Sequence, residues 1–115
     1  MYLTERGVGE DDAARAVERL TEAGYVDDVR FACDRAAVLA RRDYGDEAIR
    51  HDLEGRGLER NAIDAALALL EPEEQRARAL TVRFGVTPAT GRRLVMKGFS
   101  QAACESALAG APRAA

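Results

Sequence analysis

Tryptophan is absent from these 115 residues, histidine occurs once, cysteine twice and proline three times. The lone His51 leaves no second imidazole for a catalytic triad or a metal site, and its expected role is that of a surface residue. Cys33 and Cys104 lie too far apart in sequence for metal-ligand spacing. No metal or cofactor is expected. Carboxylates are plentiful, but they fall at helix starts and in four-residue pairs, without a matching nucleophile or a glycine-rich phosphate loop. An enzyme is therefore not expected. There is no signal peptide and no apolar run of membrane length, which points to a reduced, cytoplasmic protein. No segment alternates apolar and polar residues over a useful length, so the usual strand signal is missing. Aromatic residues make up only 5% of the chain, and much of the 47% apolar content is alanine. Such a core lets helices approach closely but buries little area per side chain. The expected fold is all-α, with thin layers.

What the chain does have is a short pattern that occurs three times: leucine, two variable residues, a basic residue, glycine, then an apolar residue. The copies begin at Leu3, Leu53 and Leu94 and contain Arg6-Gly7-Val8, Arg56-Gly57-Leu58 and Lys97-Gly98-Phe99. Ten residues after each leucine stand Ala13, Ile63 and Cys104, and fourteen after stand Val17, Leu67 and Leu108. Cys104 thus takes the slot of Ile63 and is expected in the core. Spacings of 50 and 41 residues between copies signal an array of small helical units that pack mainly on their neighbours. Such arrays commonly present an extended surface to a partner.

Punctuation places the helices. Gly7, Gly57 and Gly98 suit the left-handed position just past a helix C-terminus. A helix after Gly9 carries Ala13, Ala16, Val17 and Leu20 on one face and is expected to stop at Gly24. Asp27 or Asp28 would cap the next, which buries a stripe of Val29, Ala32, Cys33, Ala36 and Ala40 and ends at Gly45. A shorter helix from Asp46 turns Ile49 and Leu53 inward, and a third carries Ala62, Ile63, Ala66, Leu67 and Leu70. Pro72 marks the start of a helix through about Phe84, in which Ala77, Leu80 and Arg83 repeat Ala36, Leu39 and Arg42. Thr87-Pro88 starts the helix bearing Leu94, and Ser100 caps the last. The expected organisation is residues 1–27 as the C-terminal part of a first helical repeat, 28–70 and 71–109 as two complete three-helix repeats, and 110–115 as a disordered tail. The elongated array thus has a truncated first repeat, and its uncovered apolar edge (Leu3, Val8, Val17, Leu20) predicts self-association or fraying.

The formal charge of −3 argues against a protein that coats nucleic acid through bulk electrostatics. Its distribution is uneven: residues 1–28 carry −5, 29–56 are neutral and 57–115 carry +2. Sixteen of the seventeen basic residues are arginine, a composition that a codon bias toward arginine and alanine would also produce. Arg30, Arg42, Arg50 and Arg56 are candidate partner-binding residues of the middle unit. Arg30 has Asp34 four residues away, and Asp46 and Glu54 flank Arg50, so paired, solvated faces are expected there. Arg83, Arg92, Arg93 and Lys97 stand out because no acidic residue lies between Glu74 and Glu105. This set is the first choice for a contact with phosphate or an acidic surface. A helix-turn-helix reader of duplex DNA is disfavoured, because the turns carry few of the asparagine and glutamine residues that read adenine.

The string Gly24-Tyr25-Val26-Asp27-Asp28-Val29-Arg30-Phe31-Ala32, with Tyr44-Gly45, Ile49, Leu53, Arg56-Gly57-Leu58, Ile63, Ala66-Leu67 and Lys97-Gly98-Phe99-Ser100, resembles the RecX regulatory proteins across about residues 2–109. The resemblance implies a three-repeat helical protein that binds the RecA recombinase on single-stranded DNA and generally limits its ATPase and strand exchange, in DNA recombination, repair and the SOS response. In that frame Gly24, Tyr25, Asp27, Asp28, Phe31, Gly57, Gly98 and Phe99 are structural: a turn, a cap, two left-handed glycines, and rings packed between units. The other reading from the residues is a DNA-binding helical module that acts through the C-terminal basic cluster without RecA.

Overall fold

Six α-helices, and no strand, account for the regular structure of residues 9–109, which the computed structural model describes. They are α1 (Gly9–Arg41), α2 (Asp46–Gly55), α3 (Arg60–Ala68), α4 (Glu73–Phe84), α5 (Pro88–Met96) and α6 (Gln101–Ala109). The features expected at Leu3, Arg6, Gly7, Val8 and residues 110–115 lie outside the described residues. The C-terminal half of α1 packs chiefly on α3, with α2 closing that triplet, and α4 packs chiefly on α6, with α5 closing the other. The particle is elongated, 80 × 22 × 19 Å.

Each triplet has its own core, built from equivalent positions. Ala32, Ala36, Leu39, Ile49, Leu53, Ile63 and Ala66 form the first cluster, and Ala77, Leu80, Leu94, Phe99, Ala103, Cys104 and Ala107 the second. Leu53 and Leu94 correspond across the 41-residue offset, as do Ile63 and Cys104, and the buried Thr90 stands where the first unit has Ile49. Thr87 accepts from the Thr90 amide (3.2 Å) with Pro88 behind it, and the Ser100 hydroxyl accepts from the Ala103 amide (3.1 Å), so both expected caps are present.

The repeated pattern is a helix-terminating hydrogen-bond motif. At Gly57 and Gly98 the backbone is left-handed (φ 83° and 85°). The glycine amide donates three residues back, to Glu54 or Val95 (3.0 Å each). The next amide donates five back, from Leu58 to the Leu53 carbonyl (3.3 Å) and from Phe99 to the Leu94 carbonyl (3.0 Å). This double bond pair satisfies two orphan carbonyls and brings the apolar residue after glycine against the buried leucine. The basic residue one position earlier sits where the helix dipole favours a cation.

A further copy, without glycine, ends α1. Asp43 adopts φ 69°, its amide donates to Ala40 (3.0 Å), and the Tyr44 amide donates to the Leu39 carbonyl (3.1 Å). Leu39-x-x-Arg42-Asp43-Tyr44 thus repeats the pattern with aspartate, one of the few residues that tolerate the left-handed region. Gly45 therefore does not end this helix, contrary to expectation. Its backbone is extended, and it is glycine for another reason: a Cβ there would lie 2.5 Å from Cα and N of Phe99.

The helix stop expected at Gly24 does not occur. α1 runs unbroken through Gly24, Asp27 and Asp28 for 33 residues, so neither aspartate is a cap. A glycine inside a helix costs about 1 kcal/mol relative to alanine, too little to break a segment that has no proline and continues into the packed stripe of Ala32, Ala36 and Leu39. Tyr25 and Phe31, expected to pack between units, are each 45% exposed, along with Val17 and Val26. This stretch of α1 extends beyond the first triplet's core, so Tyr25 lies outside that core and Phe31 sits at its edge, beneath Arg56.

Among the described residues, helices of different triplets do not pack extensively on one another. The joint is made by turns. α2 has no side-chain cap; instead the amide of its cap residue and its own first two amides find acceptors in the second triplet. Gly45 N–H donates to the Lys97 carbonyl (2.8 Å), Asp46 N–H to Glu73 Oε2 (2.9 Å) and Glu47 N–H to the Gly98 carbonyl (3.1 Å). The Glu73 carboxylate also accepts from the Ser100 amide (3.2 Å) and hydroxyl (2.8 Å), so it ties the starts of α2 and α6 together. Arg76 donates to the Glu71 and Tyr44 carbonyls (2.8 and 3.1 Å) and to Asp46, with its guanidinium over the Phe99 ring. Close approach is required on both sides: a Cβ on Gly98 would lie 2.5 Å from that of Ala48.

Gly45→Ala is expected to cost at least about 2 kcal/mol, because the added methyl meets backbone that cannot yield. Gly55→Ala, where an added Cβ meets nothing within 4 Å at the end of α2, is expected to leave stability unchanged or raise it by up to about 1 kcal/mol. Urea unfolding of both variants checks this, and equal effects would contradict the reading of Gly45.

Candidate interaction face

The basic set chosen from sequence converges on one side of the joint. Arg92, Arg93 and Lys97 line a groove of about 480 Å³ with Tyr44, Ala89 and Met96. Helical spacing on α5 puts Arg92 and Met96 on one ridge, and the helix-ending turn places Lys97 at its foot. Lys97 Nζ sits 4.0 Å from the centre of the Tyr44 ring and donates to the Arg42 carbonyl (3.3 Å). Arg93 and Arg83 both lie over the Phe84 ring, at 4.5 and 4.9 Å from its centre. Arg83 also reaches back to Asp43 (2.7 Å) in the first triplet. Cation–ring contacts hold these side chains in place at modest cost in solvation, leaving charge at the surface. Arg92 is exposed and makes no hydrogen bond or ion pair with another described residue.

The middle-unit arginines are distributed differently. Arg50 pairs with Asp64 of α3 (2.7 Å) and not with Asp46 or Glu54. Asp46 is drawn instead to Arg76 across the joint. The Arg30–Asp34 pair expected from four-residue spacing does not form: both side chains are exposed, and the less favourable charge order gives little to offset their lost freedom. Arg42 lies exposed at the end of α1, beside the basic groove through its carbonyl. Arg56 bonds Asp52 (2.9 Å) and stands over Phe31 (5.9 Å). Arg30, Arg50 and Arg56 therefore do not join the groove.

Tyr44, Phe84 and Met96 were not singled out from sequence as part of this face. Tyr44 was legible, since it occupies the apolar slot of the glycine-free copy. Phe84 and Met96 follow no pattern and become visible only when α4 and α5 are placed side by side. His51 is exposed and takes no part. Cys104 is buried, its thiol pushed up from the usual value first by burial and then by the nearby Glu73 and Glu105 carboxylates. The described residues hold no cluster of three or more groups that could bind a metal ion.

Electrostatics elsewhere serve the scaffold. Arg35 grips Asp52 with two bonds of 3.1 Å, from Nε and Nη2, while Arg56 adds a third. The Arg35 hydrogen bond, followed by that of Arg56 and by the charges of both, outweighs burial and lowers the Asp52 carboxyl below its ordinary value. A depressed carboxylate contributes stability in full above the unfolded value of about 3.9 and loses it as pH falls through the folded value. Asp52→Asn should therefore lower the melting temperature at pH 7 by a few degrees and make no difference in strong acid. Thermal melts across the acid range test this; identical curves for both proteins at neutral pH would contradict it.

Comparison with known proteins bears on this architecture directly. Residues 27–67, from the middle of α1 through most of α3, match the family model described as RecX, second three-helix domain. The chain is 41% identical over 87 residues to the Regulatory protein RecX of Stenotrophomonas maltophilia (strain R551-3), covering 74% of this chain and 53% of that protein. It is 41% identical over 85 residues to the Regulatory protein RecX of Xanthomonas axonopodis pv. citri (strain 306), covering 72% and 52%. With the protein of that name from Xanthomonas oryzae pv. oryzae (strain MAFF 311018) it shares 42% over 69 residues, covering 60% and 43%. The chain spans about half the length of these curated relatives. No described helix is long and apolar enough to cross a membrane.

Proposed function

The chain belongs to the RecX family, and from that premise we propose that it regulates RecA recombinase filaments on single-stranded DNA, lowering their turnover, as a binding protein and not an enzyme. The observation that carries the reading is the joint. Two triplets fixed to each other through backbone hydrogen bonds form a rigid element that can span neighbouring subunits of a helical polymer. A ligand that bridges subunits in one filament geometry better than in another shifts the filament toward that geometry. The closure between subunits needed for ATP hydrolysis is the step such bridging would bias. Arg83, Arg92, Arg93 and Lys97, beside the joint, are the residues we assign to the contact.

A second reading has its own observation. Arg92 is exposed on a cationic face with no hydrogen-bond or ion-pair partner among the described residues, as a phosphate-binding residue would be. A module that bound DNA directly would do so with a steep salt dependence, one unit of slope per phosphate contact.

The test is RecA ATPase on single-stranded DNA with increasing amounts of this chain, alongside binding to bare strands over a range of salt. The expected result is lowered turnover, with Arg92→Glu/Arg93→Glu needing at least tenfold more protein for the same effect while keeping the wild-type melting temperature. Unchanged turnover at large excess would reject the reading. Tight, salt-steep binding to bare DNA would favour the second.

A further inference from the structure

A second hollow lies on the other flank of the α5 ridge. Its volume is about 420 Å³, and its walls are Gly91, Val95, Met96, Cys104 and Leu108, with Arg92 the one polar residue on its rim. Arg92 and Met96 border this hollow and the basic groove alike. Val95 is 66% and Met96 85% exposed, an unusual pair of apolar side chains on a short helix. The hollow exists because position 91 is glycine: a Cβ there would already touch Leu108 Cδ1 at 3.3 Å.

We propose that the α5 face is a docking surface for an acidic polypeptide segment, one that seats an apolar side chain between Val95 and Leu108 and sets its carboxylates against Arg92, Arg93 and Lys97. Charge selects the occupant: α5 carries no acidic residue, and Arg92, Arg93 and Lys97 line the groove beside the hollow, outweighing the Glu105 carboxylate near Cys104. The aromatic rings select protein over nucleic acid. Single strands bind by stacking bases on free aromatic faces, whereas here cations lie over the rings, Lys97 over Tyr44 and Arg83 and Arg93 over Phe84, which stays 46% exposed. What the hollow itself presents is chiefly aliphatic and sulfur-bearing, which suits a leucine- or phenylalanine-type anchor in a pocket. An amphipathic helix with acids on its flanks fits both features at once.

In the cell this inference rests on the filament reading, since it names the chemistry of the surface that would be met there; its test requires no RecA, so the two fail separately. The probe is a helical glutamate–leucine peptide titrated into the full chain while backbone amide shifts are followed. Lysine-for-glutamate and alanine-for-leucine versions and oligothymidylate serve as comparisons. Shifts at Gly91, Val95, Met96 and Leu108 are expected, weakening with salt and absent with either altered peptide. Val95→Asp/Met96→Glu should weaken binding at least tenfold; both side chains are exposed, so the melting temperature should hold. Because that pair adds two charges, Val95→Ala/Met96→Ala separates lost packing from repulsion and should also weaken binding severalfold. No shifts at millimolar peptide, equal binding of the lysine peptide, binding indifferent to both double variants, or tighter binding of oligothymidylate on this face would each overturn the proposal.

Discussion

Three backbone amides at the start of α2 have no partner in their own triplet, and the whole arrangement turns on where they go. Buried amides must be paired, and the usual solution is a serine, threonine or aspartate cap. Here the cap position is Gly45, which has no side chain to offer. The acceptors are the Lys97 and Gly98 carbonyls and the Glu73 carboxylate. The last turn of α5 is thereby joined to the first turn of α2, negative end to positive end, which adds a favourable dipole contact to the hydrogen bonds. The triplets hold a set geometry because relative rotation would strip these amides of partners at a cost of about 1–3 kcal/mol each.

The same joint produces the surface. The Lys97 carbonyl accepts from the Gly45 amide, and the Lys97 ammonium rests on Tyr44, the residue before Gly45. Arg83 links Asp43 to Phe84, and Phe84 in turn supports Arg93. A cationic ridge is thus assembled from both triplets, with its rings serving as seats for charge. The buried leucines at 39 and 94 anchor the turns from beneath, so the cores, the joint and the face depend on the same two loops.

Much of the fold was legible because the repeated pattern is a physical device, not a statistical one. Leu53 and Leu94 supply the carbonyl and the core contact, Gly57 and Gly98 supply the left-handed residue, and the next apolar residue closes the motif. The copy at Leu39 escaped notice because Asp43 replaces glycine, and Gly45 two residues on drew the assignment to itself. Gly45 could not have been read correctly from its own neighbourhood, since its reason lies 54 residues away at Phe99. Gly24 misled for the opposite reason: punctuation that looks like a stop is only a modest penalty when the helix on either side is favourable. Clustering of Arg92, Arg93 and Lys97 followed from the acid-free stretch that holds them. The partners of Arg50 and Asp46 did not, because tertiary neighbours displaced the local pairs.

Native-state hydrogen exchange of the Gly45 and Glu47 amides tests the central claim most directly. If the joint is integral to the fold, both amides exchange only through global unfolding, with the same protection as those of Ile49 and Phe99. Exchange at rates near those of open loops, while the two cores stay protected, would mean that the triplets move independently and that the fixed element described here does not exist.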